Sequence, residues 1–340
     1  MVIEISVMMF LAAFVFSVPS MAAEQKQVTL RLAHMYPDQN PVGLASTMFS
    51  KLVEERTGGK VKILIFSSGQ LGGDVENRDA LMAGTLDFSL NAVPSFSAYI
   101  PEVAMTDLPY FWKGPDHFLK FWNGPLAKDW ISRYEATTKI KILATNWLMA
   151  ERHIIAKKSI KTPDDLKGVK LRTSPGFQHH YDGFLAMGAT PVFMSFQEVY
   201  SALQQGVVDA MENPLVEIYA SKFHEVCKFV SLTGHIYNSR AVHIGKGTWE
   251  KLTFETQDIM IRAANEAGEY HMALQGLIKS KGERGPVEEV MEKMKKEGVT
   301  LVEPDKELFI RKVQQEAHPK YIAKYKDGQA LYNQIQGLAK

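Results

Sequence analysis

The sequence is nearly without cysteine, since its 340 residues include only Cys227. A single cysteine excludes an intrachain disulfide framework and the paired-cysteine patterns of zinc and thiol-redox sites. The chain also lacks an excess of one charge, because 39 Lys and Arg against 38 Asp and Glu leave a formal net charge of +1. This balance gives no indication of nucleic acid or an anionic membrane as the main partner. Cys227 lies in an apolar stretch and is expected to be a small buried side chain.

Long apolar runs are missing after the first twenty residues. The run VMMFLAAFVFSV, residues 7–18, is too short to span a bilayer and is typical of the apolar region of a signal peptide. Ala22 and Ala23 suit cleavage by signal peptidase, although the usual basic residues before the run are missing. We predict a signal peptide over residues 1–23 and export to the periplasm.

Motifs of common nucleotide-binding and hydrolytic sites are missing as well: there is no GxSxG, HExxH, Walker loop or GxGxxG. The glycine-rich stretch SSGQLGGD, residues 67–74, lacks the lysine of a phosphate-binding loop and is interpreted as a turn between a strand and a helix. His179 and His180 are adjacent, and neighbouring residues on a helix point to different sides. We therefore predict no metal site and no cofactor.

What is present is an alternation of short apolar strands and helices. The strand patterns cover residues 28–34, 61–66 and 86–90, and the helical patterns between them cover about 44–53 and 74–83. This order predicts an α/β fold in which helices cross over sheets. A longer helical pattern over residues 256–281 is long enough to bridge two lobes.

A repeated pattern indicates two lobes of similar build. ALMAGTLD (residues 80–87) and ALQQGVVD (residues 202–209) both read A-L-x-x-G-x-x-D. In each, a helix is expected to end at the glycine and a strand to begin at once. The coarse boundary between the lobes lies near Ala150.

Helix starts are well marked in the second half of the chain. Thr162, followed by Pro163, and Ser195, followed three residues later by Glu198, are predicted N-caps. The tail from Pro286 is predicted to be helical, charge-mixed and mostly solvated surface.

Two arginines are candidates for binding an anion. Arg172 ends the short apolar strand VKLR, and open α/β sheets bind ligands at the carboxyl ends of their strands. The planar fork of a guanidinium suits a carboxylate. Arg152 begins another strand. For each arginine the alternative is a solvated side chain or a structural ion pair, with Glu151 as the neighbouring acid in the case of Arg152.

Aromatic and amide side chains are candidates for the pocket wall. Trp147 and Phe196 could form such walls, although aromatic side chains are more often core. Asn213 follows a strand and precedes a proline, so its amide either donates to a carboxylate or belongs to a turn. Glu212 beside it is expected to anchor the loop.

Four stretches together resemble the solute-binding proteins of tripartite ATP-independent periplasmic (TRAP) transporters, the DctP-like family. They are GQLGGD, TPDDLKGVKLR, GATPVFMSFQEVYSALQQGVVDAMENP and LTGHIYNS, in order along nearly all of the mature chain. The resemblance implies a two-lobed periplasmic binding protein, not an enzyme, with a mixed sheet flanked by helices in each lobe and a long helix bridging them. Such a protein closes on a small organic anion and delivers it to the membrane subunits of the transporter.

The resemblance also implies the division of the chain. The first lobe is expected to contain residues 24–149 and about 239–278. The second is expected to contain residues 150–238 and about 279–330, followed by a tail over residues 331–340. A monomer is expected, with a dimer through the long helix left open.

Residue by residue, the resemblance assigns the main carboxylate clamp to Arg172 and a second cleft arginine to Arg152. It matches Phe196 and Asn213 to the family's aromatic and amide positions. The predicted ligand-binding set is completed by Glu212, Trp147, His34, Asn91 and Tyr237.

Departures from the family pattern bear on the ligand. Sialic-acid-binding members have an acid and an arginine near the positions of Ala92 and Ser95, so sialic acid is not expected. DAMEN at residues 209–213 replaces the usual DGQEN and makes the pocket floor less polar. The expected ligand is a compact carboxylate with an apolar or aromatic body.

Two other functions share part of this evidence. A binding protein that serves a sensor kinase instead of a transporter would have the same sequence features. A secreted hydrolase or lyase would use His153, His179 or His243 with a nearby carboxylate, but the chain has no nucleophile motif.

Overall fold

The structure, a computed structural model, describes residues 27–278 and 285–339. The predicted signal peptide lies outside the described residues. Among the described helices, none combines the length and apolar character needed to cross a membrane.

Two β-sheets organise the described residues. The strands, numbered along the chain, are β1 (Val28–Ala33), β2 (Val61–Phe66), β3 (Phe88–Ala92), β4 (Ile140–Leu148), β5 (His153–Ala156), β6 (Lys170–Thr173), β7 (Thr190–Phe193), β8 (Ala210–Asn213), β9 (Phe229–Ser231), β10 (Ser239–Gly245) and β11 (Thr300–Val302). The first sheet has the order β2-β1-β3-β10-β4, and the second has the order β11-β9-β5-β8-β6-β7. Both sheets are mixed, because β10 runs antiparallel to β3 and β5 runs antiparallel to β8.

Helices surround both sheets. They are α1 (Pro41–Arg56), α2 (Asp74–Met82), α3 (Val103–Thr106), α4 (Pro115–Trp122), α5 (Pro125–Thr138), α6 (Gln178–Met187), α7 (Val199–Gln205), α8 (Leu215–Ala220), α9 (Phe223–Val226), α10 (Lys246–Trp249), α11 (Phe254–Leu274), α12 (Pro286–Lys296), α13 (Lys306–Glu316), α14 (His318–Ile322) and α15 (Gly328–Gly337). The α/β class with one mixed sheet per lobe is therefore confirmed.

The chain passes between the two sheets more than once. It leaves the first sheet after β4, returns to it for β10, and supplies β11 to the second sheet near its C-terminus. These crossings need no flexible tether between the lobes. The exact lobe boundaries at residues 149, 239 and 278 stay predictions.

The repeated helix–glycine–strand pattern is present, but each strand begins four residues after its glycine, at Phe88 and Ala210, and not at once as expected. Gly84 after α2 and Gly206 after α7 have φ angles of 72° and 78°. Only glycine adopts this left-handed conformation without steric cost, so both helices end there.

The long helix is shorter than the sequence pattern suggested. α11 begins after Thr253, whose side chain accepts a hydrogen bond from the backbone N–H of Thr256, and it ends at Leu274. Its buried face packs on β4 and α1, so most of the helix belongs to the first lobe. Its C-cap residue Gln275 reaches the second lobe, where Nε2 donates to Oε1 of Glu217 at 2.8 Å. The last residues of the predicted pattern, 279–281, lie outside the described residues.

The C-terminal tail is more than solvated surface, which corrects the prediction from its mixed charges. Phe309, Val313 and Tyr321 are at most 2% exposed and belong to the hydrophobic core. The tail also supplies β11, which pairs parallel with β9. The many charged residues of the tail obscured its apolar face in the sequence. The residues that cover this face are identified only by the tertiary packing.

Candidate functional site

Arg172 lies on β6, one residue before the strand ends, and is 3% exposed. Its Nε donates to the carbonyl oxygen of Met194 at 2.9 Å, and its guanidinium carbon lies 5.6 Å from the ring centroid of Phe196. Its Nη2 is buried without a hydrogen-bond partner. Among the described residues, no carboxylate lies within ion-pair distance of this guanidinium.

Burial explains the electrostatic state of Arg172. Removal from water lowers the pKa of its guanidinium to about 10; the Glu212 carboxylate opposes that change and the charge of Arg152 adds to it. The side chain is still a cation at neutral pH. A buried cation without a paired anion is costly, and a negatively charged ligand would remove that cost.

Arg152, directly before β5, is buried and fully paired. Its Nη2 lies 2.7 Å from Oε1 and 2.9 Å from the carbonyl oxygen of Glu212, and its Nε donates to Oε2 of the same residue. β5 and β8 are neighbours, with Ile154 opposite Glu212, which brings the two side chains together. Burial alone would lower the pKa of Arg152, but the Glu212 carboxylate outweighs it and raises the pKa. The ion pair is therefore with Glu212 and not with Glu151.

A third arginine, Arg240, was missed from the sequence. It lies on β10, where every residue is buried. Its Nη1 lies 2.9 Å and 2.8 Å from the two carboxylate oxygens of Asp74, the first residue of α2, and its Nη2 donates to the hydroxyl of Tyr36. Burial would lower its pKa, but Asp74 and Tyr36 raise it. The available signal was a charged residue in the apolar stretch RAVHIG, which must find a partner when it is buried.

These charged groups surround one cavity between the lobes. An inner space of about 20 Å³ is lined by all three arginines together with Asp74, Asn213 and other residues. It adjoins a wider chamber of about 290 Å³. Six residues line both spaces: Met35, Asp74, Arg172, Ser174, Phe177 and Phe196. The first lobe supplies Met35 and Asp74, and the second supplies the other four.

Phe196 and Asn213 both line the inner space of this cavity, and their roles in ligand binding stay predictions. Phe196 is 8% exposed and stacks near Arg172. Asn213 ends β8, and its Oδ1 is buried without a hydrogen-bond partner. Asn238, which the sequence prediction omitted, also lines the inner space and has a buried, unpartnered Oδ1.

The structure places Trp147 and His34 in the core instead of on the cavity wall. The indole of Trp147 is fully buried, and its Nε1 donates to the carbonyl oxygen of Ala264 on α11 at 2.9 Å. Nε2 of His34 lies 3.2 Å from the hydroxyl of Ser46, and burial lowers the pKa of this histidine to about 4. Both side chains attach helices to the first sheet, so the expected aromatic wall loses Trp147.

Asn91 and Tyr237 also lie away from the cavity lining. Nδ2 of Asn91 donates to the backbone carbonyl of Asp74 at 2.9 Å, so Asn91 supports a cavity residue from behind. The hydroxyl of Tyr237 donates to Oε2 of Glu151 at 3.1 Å. These two contacts join segments that are distant in sequence, so the spacing of residues along the chain could not predict them.

The histidines considered for catalysis are not arranged for it. Burial lowers the pKa of both His153 and His243 to about 3, and both residues are at most 4% exposed. His179 and His180 do not diverge as helical spacing suggested, because both rings approach Asp107. Cys227 is buried and unpaired, as expected, and burial raises the pKa of its thiol to about 11.

Comparison with known proteins adds independent findings. Residues 32–325 match the model of the bacterial extracellular solute-binding protein family 7, DctP. A solute-binding protein of Verminephrobacter eiseniae is 32% identical over 256 residues, which is 74% of this chain and 75% of that protein. The 2,3-diketo-L-gulonate-binding periplasmic protein YiaO of Escherichia coli is 32% identical over 260 residues, 76% of this chain and 77% of that protein.

A solved structure is similar over almost the whole chain. The TRAP periplasmic solute-binding protein of Ochrobacterium anthropi, with bound L-fuconate, superposes with a TM-score of 0.84 at 26% identity. The match covers 92% of this chain and 100% of that one.

Proposed function

This chain belongs to the bacterial extracellular solute-binding proteins of family 7, and from that premise we propose that it captures a hydroxylated monocarboxylate between its lobes. Members of this family are periplasmic and bind small acids for membrane transporter components. This chain would be exported and would deliver its ligand to a TRAP transporter.

The observation that carries the proposal is the unpaired guanidinium of Arg172. Its Nη2 is buried at the inner cavity and has no hydrogen-bond partner among the described residues. A ligand carboxylate would accept from this nitrogen and supply the missing negative charge. Charge-assisted hydrogen bonds of this kind are worth about 1.5–3 kcal/mol each.

A count of the buried charges supports a single negative charge on the ligand. Three guanidinium groups line the inner cavity, and two of them are already paired, Arg152 with Glu212 and Arg240 with Asp74. One positive charge remains. A monocarboxylate neutralises it, whereas a dicarboxylate would bury a second negative charge without a partner.

Two buried amide oxygens support a hydroxylated ligand body. Oδ1 of Asn213 and Oδ1 of Asn238 have no hydrogen-bond donors, and both residues line the inner cavity. Hydroxyl groups of a sugar acid would donate to them. With Trp147 in the core, this polar lining favours a sugar acid over the apolar or aromatic acid suggested by the sequence. The relatives named above, which bind 2,3-diketo-L-gulonate and L-fuconate, agree with this class.

Closure of the lobes would complete the site. A Cβ atom at Gly69, in the loop after β2, would overlap the side chain of Gln197 across the mouth of the cavity. At a second point, a Cβ atom at Gly176 would lie 3.2 Å from Cγ2 of Val75. The lobes thus touch at two glycines, and a ligand inside would be separated from bulk water, which strengthens its ion pair with Arg172.

The test is calorimetry on an Arg172→Ala variant. A thermal-shift screen of sugar acids, beginning with L-fuconate and 2,3-diketo-L-gulonate, first identifies a ligand. Loss of the clamp should then weaken its binding by about ten- to a hundredfold, from the charge-assisted hydrogen bonds removed. Arg262→Ala, at an exposed arginine on α11, is the control and should bind as the native protein does. Unchanged affinity in the Arg172→Ala variant would reject the clamp.

A further inference from the structure

A second polar cluster lies beside the anion cavity, formed by Asp107, His179 and His180. Asp107 follows α3, and the two histidines occupy the first turn of α6. Nε2 of His179 and Nε2 of His180 lie 2.9 Å and 2.5 Å from Oδ2 of Asp107. The three ligand atoms lie within 4.8 Å of one another, and all three residues are buried.

The negative charge in this cluster lacks a conventional partner. Within the part of the chain that the structure describes, the ion-pair contacts of Asp107 are with these two histidines and with no arginine or lysine. A buried carboxylate without a lysine or arginine beside it can take a bound cation as its counter-charge.

His180 offers a buried nitrogen to such a cation. Its Nε2 is buried and makes no hydrogen bond, although it lies only 2.5 Å from Oδ2 of Asp107. An unpartnered nitrogen, a second imidazole and a carboxylate converge on one buried point.

We propose that Asp107, His179 and His180 bind a divalent transition-metal cation of the zinc type. Two imidazole nitrogens and one carboxylate oxygen form a ligand set that suits Zn²⁺ and Co²⁺. The cation gives Asp107 its counter-charge and His180 its missing partner. Three protein ligands leave the fourth position of a tetrahedron to water or to another small donor.

The geometry needs only a small adjustment to hold the ion. Tetrahedral ligands at about 2.0–2.1 Å from a metal lie about 3.3–3.4 Å from one another. Nε2 of each histidine must therefore move less than about 1 Å away from Oδ2 of Asp107, which rotation of the side chains can supply. Phe177, whose ring stacks on His180 at 5.5 Å between centroids, shields the cluster from water.

The position of His180 connects this cluster to the anion site. His180 also lines the inner cavity that contains Arg172 and Asn213. A bound cation would add positive charge near the ligand carboxylate. This consequence rests on the proposed function, whereas the metal site itself does not.

The test is a Co²⁺ titration of tag-free protein stripped with a chelator, in the absence of any organic acid. We expect one equivalent of Co²⁺ to bind with the visible absorption bands of a tetrahedral site. Asp107→Asn, His179→Ala and His180→Ala should each weaken this binding by more than the roughly 10–100-fold typical of changes behind the ligands. Without Co²⁺ bands in the folded native protein, the metal site is rejected, whatever the outcome of the organic-acid measurements.

A matched control separates this cluster from other buried histidines. His224 is also buried and lies 2.7 Å from a carboxylate oxygen of Glu297, but among the described residues it belongs to no group of three potential metal ligands. His224→Asn should leave the Co²⁺ titration unchanged. Circular dichroism establishes that each variant is folded. If folded His179→Ala and His180→Ala variants retained full Co²⁺ affinity, the proposed ligands would be wrong.

Discussion

At the scale of single residues, the buried positive charges around the cavity are mostly compensated by buried carboxylates. Arg152 pairs with the carboxylate of Glu212, and Arg240 pairs with the carboxylate of Asp74. Both arginines line the site, but neither needs a ligand anion to compensate its charge. Arg172 has only a backbone carbonyl as partner. Specificity for the charge of the ligand therefore depends on the acids that pair with the arginines as much as on Arg172 itself.

This balance predicts the effect of Asp74→Asn. The variant keeps the shape of the side chain but leaves the guanidinium of Arg240 without its carboxylate, so the cavity carries two unpaired positive charges. Binding of a sugar dicarboxylate relative to the corresponding monocarboxylate should rise by about tenfold or more, the effect of one charge-assisted hydrogen bond. Calorimetry with both acids measures the ratio. Asp79→Asn, at an exposed position on the same helix, should leave the ratio unchanged.

Residue roles were predictable only where local position carries the information. Arg172 could be found because it ends a strand, and the ends of strands meet at ligand sites. Arg240 and Asp74 are 166 positions apart, and no local pattern pairs them. Trp147 was misplaced because an aromatic residue near a strand end serves equally well as wall or core, and its hydrogen bond to Ala264 decides for the core.

At the scale of elements, α6 presses against the segment that carries Asp107. Gly183, in the middle of this helix, faces the ring of Pro109. A Cβ atom at position 183 would lie 2.8 Å from Cγ of Pro109 and closer still to Cδ. A proline ring cannot rotate away, so the close packing of α6 depends on glycine at this point.

Gly183→Ala is therefore expected to destabilise the protein by about 1–3 kcal/mol, the usual cost of overpacking, despite the better helix propensity of alanine. Gly247→Ala is the matched control, because Gly247 is also helical and a Cβ atom there meets nothing within 4 Å. That control should be neutral or stabilising by up to about 1 kcal/mol. Urea unfolding at equilibrium measures both values. Equal effects of the two substitutions would contradict this account of α6.

The boundaries of helices were predictable from the sequence where a capping residue or a helix-breaking residue was present. Ser195 forms its predicted capping box, with the Glu198 carboxylate accepting from the backbone N–H of Ser195 at 3.2 Å. The Thr162 cap is also present, but it begins only a 3-10 turn, Pro163–Leu166, because the chain enters β6 soon afterwards. Capping residues specify where a helix begins, whereas tertiary structure decides how far it continues.

At the scale of the whole molecule, one buried acid joins three elements across the lobes. Glu217 on α8 accepts from Nδ2 of Asn40, the N-cap of α1, and from Nε2 of Gln275, the C-cap of α11. The order of strands and helices in the sequence predicted the two-lobed fold. It did not predict this junction, because Asn40 and Gln275 lie 177 and 58 positions from Glu217. Both of these hydrogen-bond partners are neutral amides.

This junction predicts a dependence of stability on pH. Burial raises the pKa of Glu217 from 4.5 to about 6, so the native state holds the proton more tightly than the unfolded chain. The contribution of protonated Glu217 to the free energy of unfolding is complete below pH 4.5 and is lost as the pH rises through 6. Relative to the native protein, Glu217→Gln should therefore gain about 2 kcal/mol of unfolding free energy between pH 4.5 and 7. Urea unfolding across this range tests it, with exposed Glu250→Gln as the control. A difference independent of pH would show that Glu217 ionises normally.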